Sequence, residues 1–521
     1  MLSEKHDSYT ARLTHEFNTV KWDNIEFLQI RYTDVPGRFL ASYILKDNDD
    51  CMENLFTDGI GLDGSSVSGF VDISESDLIL LPDISTIRAI PPTTTMPSHS
   101  IAAVISDVYR GFGQGRLSKD PRNVSQRMER YLGENGLSCQ IGSEVECFIF
   151  DDILLFDNNN NDNFGSYKEN NETHSHEPKI ISTEQYGTGK YPIRKKGGYN
   201  APPFQDSLRE FRFEVAQILR KYYSIKVTNL NHEVASSGQI EINFMHDTLT
   251  KTADNVQMYK DVVRNLAKQY NKVANFMPKP IYNDKNNRTR CINGTADHDG
   301  NDNGSGMHTS VSLWSYSSNG VMKKNNNNIF YDENDSYAEL SQVARYFIGG
   351  VLDHASSLAA LVTPTVNSYH RIIPGFEAPV YIAWARGNRS AVIRVPVDQK
   401  NNFKSKRIEF RAPDPSANPY LAFPAIVAAG LDGIRKKSDP GDPVNENIYK
   451  MSDSKRNSLG IKSLPRSLGE SLDVLKSDSN YLDVCFDNEL IETYNTLKQQ
   501  EIVQTGNGKS KAMQFMLYYD A

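Results

Sequence analysis

QIGSEVECFIF, residues 140–150, reads as a strand, and two of its side chains are out of keeping with the rest. Glu144 and Glu146 are two residues apart, so they point to the same face among apolar neighbours. Two carboxylates crowded on one buried face need a cation, whereas on a solvated face they need nothing. The segment alone leaves both readings open.

Working outward, further strand-like stretches follow at QIEINF (239–244), MHTSVSLW (307–314) and RIEFRAP (407–413). Helical patterns alternate with them at SLREFRFEVAQILRKYY (207–223), TADNVQMYKDVVRNLAKQYN (252–271) and YAELSQVARYFIGGVLDHASSLAALV (337–362). This alternation predicts one large α+β domain. Residues 25–105 are different: short apolar runs (IEFLQIRY, FLASYIL, LILLPD, IAAVISDVY) broken by Gly, Pro and Asp predict a small sheet-rich unit. SKDPRNVSQRMERYLGENG (118–136) has an Asp-Pro start, helical spacing at Val124, Met128 and Leu132, and a Gly stop, so it opens a second unit. The boundary is placed near residue 114, giving domains 1–114 and 115–521. Asparagine-rich stretches at 157–177, 283–302 and 323–328 are too polar to contribute to a core and are expected to be surface loops or disorder.

At 521 residues and 38% hydrophobic the chain can bury a large core. Its net charge of -8 is spread along the sequence without a basic block, which argues against a nucleic-acid partner. Five scattered cysteines without CxxC spacing read as reduced thiols, not as a disulfide frame or zinc knuckle. The opening MLSEKHDSYTARL lacks a secretory pattern, and no run approaches the ~20 apolar residues of a bilayer span. A cytoplasmic protein with no membrane partner is expected.

Further carboxylates gather around other turns. Asn231-His232-Glu233 and Gln239-Ile240-Glu241 flank a Gly-containing turn and supply hard oxygen donors suited to magnesium or manganese. His232 reads equally well as a packing residue. Asp302-Asn303-Gly304-Ser305-Gly306-Met307-His308 is a Gly-rich loop running into a strand, a weak signal because flexibility explains it as well as ligand approach does. Arg371, Arg386, Arg389 and Arg394 fall within about 24 residues among Gly, Pro and aromatics, which suits anion clamps better than a solubilising face. Glu409 and Arg411 share a strand face. No Walker or kinase loop is present, yet a carboxylate-rich metal site beside an arginine-rich anion site equips a protein for phosphoryl transfer from a metal-bound nucleotide.

From Phe27 to the terminal MQFMLYYDA the chain resembles type I glutamine synthetase. LDGSSVSGF (62–70), HEVASSGQIEI (232–242), KTADNVQMYK (251–260), FMPKP (276–280), NGSGMH (303–308), NSYHRIIPGFEAPV (367–380), NRSAVIRVP (388–396) and RIEFRAPDPSANPYLAF (407–423) match the family's signatures in order. The resemblance implies an α+β fold: a small β-grasp N-terminal domain and a catalytic domain built on a curved antiparallel sheet flanked by helices. It further implies a homo-oligomer, a dodecamer of two hexameric rings with active sites between subunits, that joins ammonium to glutamate with ATP.

Carried over by position, Glu146, Glu233 and Glu241 would hold one Mg2+ or Mn2+ ion and Glu144, His308 and Glu409 a second, with two or more ions per site. Arg371 would clamp the glutamate carboxylate, Arg411 would assist it, and Asn303 and Gly304 would line its pocket. Ser310, Ser312, Arg389, Arg394 and Lys404 would meet ATP, and Tyr199 would lie close by. Asp63 from a neighbouring subunit would bind ammonium with Ser66 beside it, and Glu377 would sit on a flap, so that Asp63, Glu377 and Arg389 form the catalytic set.

Tyr449 aligns with a tyrosine that one subclass adenylylates, but the Asp-Leu-Pro-Pro that usually follows is missing, so no adenylylation is expected. Asp72 stands where another subclass senses glutamine with Arg. Two rival readings are a γ-glutamylpolyamine or γ-glutamylalkylamine ligase, disfavoured by retention of Asp63 and Glu377, and an inactive structural or sensor homologue, disfavoured by the full set of six ligands.

Overall fold

A computed structural model describes residues 25–46, 49–91, 100–111, 113–155, 178–282, 301–315, 327–373 and 378–521. The predicted flap residue Glu377 lies outside them, as do residues 157–177, 283–300 and 323–326 of the asparagine-rich stretches.

The N-terminal unit is a six-stranded sheet of β1 (Phe27–Thr33), β2 (Phe39–Leu45), β3 (Ile60–Asp63), β4 (Asp77–Pro82), β5 (Arg88–Ala89) and β6 (Ile101–Arg110), ordered β2-β1-β6-β4-β3 with β5 against β6. β1 and β6 run parallel at its centre, and the helix Asp49–Asp58 lies against β4. Alternation along β1 and β6 buries Leu28, Ile30, Ala102 and Val104 inside this β-grasp unit. Its β1–β2 hairpin is fastened to the larger unit: Gln257 Nε2 donates to the Gly37 carbonyl (3.1 Å), Asn418 Nδ2 to the Asp34 carbonyl (3.1 Å), and Arg31 pairs with Asp261 (2.6 Å). Residue 114 falls in the connection between β6 and the helix Pro121–Glu134, which starts on an Asp120 cap with Pro at its first position.

The larger unit is organised by β7 (Leu137–Phe150), the strand that carries Glu144 and Glu146. Among the described residues two short strands, β8 (Asp152–Leu154) and β9 (Lys179–Ile181), pair only with each other. The main sheet adds β10 (Val227–His232), β11 (Gln239–Phe244), β12 (Val273–Asn275), β13 (Met307–Ser315), β14 (Tyr381–Arg386), β15 (Ala391–Val395), β16 (Ile408–Phe410) and β17 (Lys462–Ser463). Its order is β10-β11-β7-β13-β16-β15-β14-β17, with β12 against β7. One face of β7 presents Ile141, Val145, Cys147 and Ile149 to the helices Pro121–Glu134 and Leu249–Gln269, and all four are buried. Glu144 and Glu146 must then point to the opposite face. Cys139, Cys147 and Cys485 are buried free thiols, and among the described residues no helix is long and apolar enough to cross a membrane.

Three sequence expectations need correcting. Residues 337–362 form two helices, Gln342–Asp353 and Ala355–Val362, broken at His354. Its ring stacks on Tyr481 and bonds Asp478 (2.9 Å) and Asp432 (2.9 Å) at once, which orients it between elements in a way local periodicity does not encode. The ends of two asparagine-rich stretches are not surface loop: Asp302 and Asn328 are each 4% exposed. Asn328 donates to the carbonyls of Phe403 (2.9 Å) and Lys406 (2.6 Å), and satisfied hydrogen bonds are what let such polar groups be buried.

The His354 cluster yields a stability prediction. Burial alone pushes the imidazolium down, but the hydrogen bonds and charges of Asp478 and Asp432 outweigh it and raise its pKa. Despite burial, Asp432 is held at about 2 by Lys436, His354 and Arg435, and Asp478 is lowered by His354 and Ser357. The histidine's contribution is complete below its unfolded pKa and is lost as pH rises through the raised value; that of the aspartates is lost as pH falls through theirs. His354→Gln is therefore expected to lower the unfolding midpoint by roughly 3–6 °C near pH 6, less at alkaline pH. A thermal scan across pH checks this, and an equal deficit at every pH would overturn it.

Candidate active site

The register of five adjacent strands assembles the site. β11 pairs with β7 so that Glu241 stands opposite Glu146, and β13 pairs with β7 so that His308 stands opposite Glu144. β16 places Glu409 opposite Ser310, and β15 places Arg394 opposite Glu409. Side chains from segments far apart in sequence thus converge on one face. Ligand atoms of Glu144, His308 and Glu409 all lie within 4.8 Å of one another.

Glu144 keeps 36% of its side chain exposed, but its neighbours on this face are buried. Glu146 is 8% exposed, Glu241 6% and Glu409 1%. Burial raises the pKa of Glu146 against the opposing pull of the Gly306 N–H, Arg371 and Arg411. Glu241 is raised by burial and then by the charges of Glu146 and Glu144. His308 moves the other way: burial and the Arg411 guanidinium hold it well below its usual range, leaving a neutral imidazole suited to ligation. Carboxylates that resist ionising together, beside a neutral histidine, are a donor set that a hard divalent cation fits.

Two cavities draw lining residues from these strands. The larger, of about 740 Å³, is lined by Glu146, Glu233, Asn303, Gly304, His308, Arg371, Arg389 and Arg411 among others. The smaller, of about 370 Å³, is lined by Glu144, Ser310, Ser312 and Lys404. His308, Ser310 and Ser312 alternate along β13, so one strand face runs from the carboxylates into the second cavity.

Arg371 is 3% exposed and is fixed by donating to the carbonyls of Ala412 (2.7 Å) and Arg411 (3.2 Å). Glu409 accepts from Arg411 (2.9 Å) and is ion-paired with Arg394. The Gly-rich loop is tight, not loose: a Cβ on Gly306 would come within 2.8 Å of both Arg371 Nη2 and His308 Nε2. Asn303 is buried with its Oδ1 lacking a hydrogen-bond partner, the state of an acceptor awaiting a donor.

Some predicted residues stand elsewhere. Asp63 is at the exposed end of β3, where Ser65 and Ser66 hydrogen bonds (2.6 Å from each hydroxyl) hold its carboxyl below the usual range. Neither cavity draws a lining residue from the N-terminal unit. Arg394 lines neither cavity but reaches Glu409, and Tyr199 is exposed and lines neither.

Sequence reasoning missed the roles of three residues. Gln239 bridges Glu146 Oε2 (3.1 Å) and the Gly304 carbonyl (3.1 Å). Asp302 anchors the loop through Ser236 N–H (2.8 Å) and Oγ (2.9 Å). Glu184 bonds His232 Nε2 (2.9 Å), which makes His232 a structural residue beside Glu233. Arg386, read from the sequence as one of the anion clamps, lines the larger cavity. A buried histidine's need for a partner was the one signal in the sequence that pointed towards Glu184.

Comparison with known proteins agrees with this geometry. The family model described as "Glutamine synthetase, catalytic domain" matches residues 118–291 and 295–518, and that described as "Glutamine synthetase, beta-Grasp domain" matches residues 24–111. A glutamine synthetase of Sulfolobus acidocaldarius is 42% identical over 92% of this chain and 93% of its own, and one of Frankia alni 37% identical over 96% and 98%. The cryo-EM structure of Plasmodium falciparum glutamine synthetase superposes with a TM-score of 0.77 at 27% identity, covering 96% of each chain. A solved chain titled "Apo GmaS without ligand" superposes at 0.70 and 24% identity, a likeness of fold alone. By fold, by the matched models and by near full-length identity, the chain belongs to the glutamine synthetase family.

Proposed function

We propose that this protein ligates ammonia to L-glutamate with ATP, giving L-glutamine, ADP and phosphate through γ-glutamyl phosphate, as a cytoplasmic enzyme of nitrogen assimilation. The observation that carries the reading is the row of register-locked carboxylates with His308, whose members line an arginine-lined cavity and a second cavity beside it.

In this reading Glu146, Glu233 and Glu241 hold one divalent cation, and Glu144, His308 and Glu409 another, Mg2+ or Mn2+. When bound, such ions supply charge that stabilises the oxygens of a transferring phosphoryl group. The chain's own residues do the rest. Arg371 and Arg411 orient the amino acid in the larger cavity, and the unsatisfied Asn303 Oδ1 accepts from its ammonium, with Gly304 beside it. Ser310, Ser312, Lys404, Arg389 and Arg394 surround the phosphates, so the substrate carboxylate attacks the γ-phosphate inside a positively charged frame. Ammonium must lose a proton before it can displace phosphate. Asp63, kept ionised by its serine bonds, takes that proton together with Glu377, with Ser66 alongside.

Asp63 and its own cavity belong to different parts of the chain, which supports an active site shared between subunits in a dodecamer of two six-membered rings. Native mass measurement is expected to return about twelve chains. The unit boundary near residue 114 is part of the same proposal.

Amine preference tests the chemistry. Purified enzyme given ammonium, methylamine or putrescine at equal concentration is expected to form glutamine at least about tenfold faster than either γ-glutamylamide. Faster amide formation would favour the amine-ligase reading, and absence of ATP turnover with all substrates present would favour an inactive homologue.

A further inference from the structure

One pair of buried side-chain amides ties the C-terminal helix to the amino-acid side of the larger cavity. Asn367 immediately precedes the short helix Ser368–Arg371, whose last residue is the cavity arginine. Its Oδ1 accepts from the Lys279 N–H (2.7 Å), and its Nδ2 donates both to the Lys279 carbonyl (3.0 Å) and to Gln514 Oε1 (3.0 Å). Because the Lys279 N–H can only donate, the orientation of the Asn367 amide is fixed, and Gln514 must present its oxygen. Gln514 Nε2 in turn donates to the Gly508 carbonyl (2.8 Å). Asn367 and Gln514 are both fully buried.

The segment held this way is the floor under the substrate loop. A Cβ on Gly304 would lie 2.5 Å from the Pro278 carbonyl and 3.2 Å from Lys279 Cδ, and Ser305 N–H donates to the Pro278 carbonyl (2.8 Å). The Lys279 ammonium, 1% exposed, donates to the carbonyl of Asp302, the residue before Asn303. Asn367 therefore fixes Asn303 and Gly304 through Lys279 and fixes Arg371 through its own helix. Residues lining the smaller cavity take no part in these bonds.

We infer that Gln514, on the C-terminal helix Lys511–Tyr518, is a positioning residue for the amino-acid subsite, setting Arg371 and the Asn303–Gly304 loop in register through Asn367. The inference deepens the proposed function and rests on it for the identity of the amino acid. A shift of a few tenths of an ångström in both clamps misplaces the substrate but leaves nucleotide contacts intact.

The test uses the full chain in its native assembly. Gln514→Met, which keeps side-chain length but bonds neither Asn367 nor Gly508, is expected to raise the KM for glutamate about tenfold and to leave the KM for ATP within about twofold. Gln514→Glu, which keeps an oxygen facing Asn367, is expected to raise the glutamate KM by less than about threefold. Ser510→Ala removes the cap that accepts from Met513 N–H (3.2 Å), so it loosens the same helix and is expected to lower the unfolding midpoint without moving either KM.

Unchanged glutamate KM in Gln514→Met, or equal rises in both KM values, would overturn the inference. Should the Met variant fail to assemble, Gln514→Ala, which also removes both bonds, decides: an unchanged glutamate KM, or an equal rise in the KM for ATP, overturns the inference. A wild-type protein that forms no glutamine sinks the functional reading itself, a result distinct from a wild-type enzyme whose variants show no selective KM effect.

Discussion

Replacing Glu409 by glutamine is expected to lower kcat for glutamine formation by about three orders of magnitude at saturating ATP, glutamate and ammonium. The substitution keeps the shape of the side chain and removes its charge, and three partners register the loss. Arg411 and Arg394 both use the Glu409 carboxylate as counter-ion, and its oxygens complete the cluster with Glu144 and His308. A neutral amide at a site 1% exposed leaves two guanidinium groups short of charge and one metal ligand replaced by a weaker donor. The variant should therefore also unfold earlier, and part of the activity should return at raised metal concentration. Arg394→Lys, which keeps the charge but not the fork, is expected to cost less, about tenfold. A Glu409→Gln enzyme within tenfold of wild type would remove this residue from the metal-binding set.

The limits of the sequence reading can be located residue by residue. Alternation along β7 was legible, because period two is a local property, and it put Glu144 and Glu146 on one face. What brings Glu241 to Glu146 and His308 to Glu144 is strand register across long connections, which no local pattern carries. Only resemblance supplied those groupings. Average composition misjudged Asp302 and Asn328, since a polar stretch says nothing of whether its last residue finds buried partners. Gln239, Glu184 and Gln514 went unseen for a related reason: each acts through bonds to other segments and leaves no motif of its own. Asp63 is the opposite case, plain in sequence and absent from the linings of its own chain's two cavities.

Metal binding is expected to release protons, and the window follows from two carboxylates. Glu146 and Glu241 are raised in the metal-free fold, first by burial and then, for Glu241, by the charges of Glu146 and Glu144. A carboxyl raised above its unfolded value contributes stability below the unfolded pKa and loses it as pH climbs through the folded one. The metal-free protein should accordingly weaken between about pH 5 and pH 8, while the bound ion, which needs ionised ligands, is held more tightly over the same range. His308, neutral in the fold well below pH 6.5, adds nothing to the metal-affinity slope, but because the unfolded chain still binds that proton below its ordinary pKa it offsets part of the weakening at the acid end. Chelation should abolish turnover, and Mg2+ or Mn2+ should restore it. The apparent dissociation constant should fall by up to about 100-fold per pH unit at the acid end and level off above about pH 8, with up to about two protons released per site. Calorimetry in buffers of different ionisation enthalpy measures that number, and Glu241→Gln should reduce it by about one. A metal affinity that does not change with pH, or a proton count unaltered by Glu241→Gln, would show that these carboxylates are not the ligands. An ion held by Glu146, Glu233 and Glu241 would carry the slope set by the two raised carboxyls.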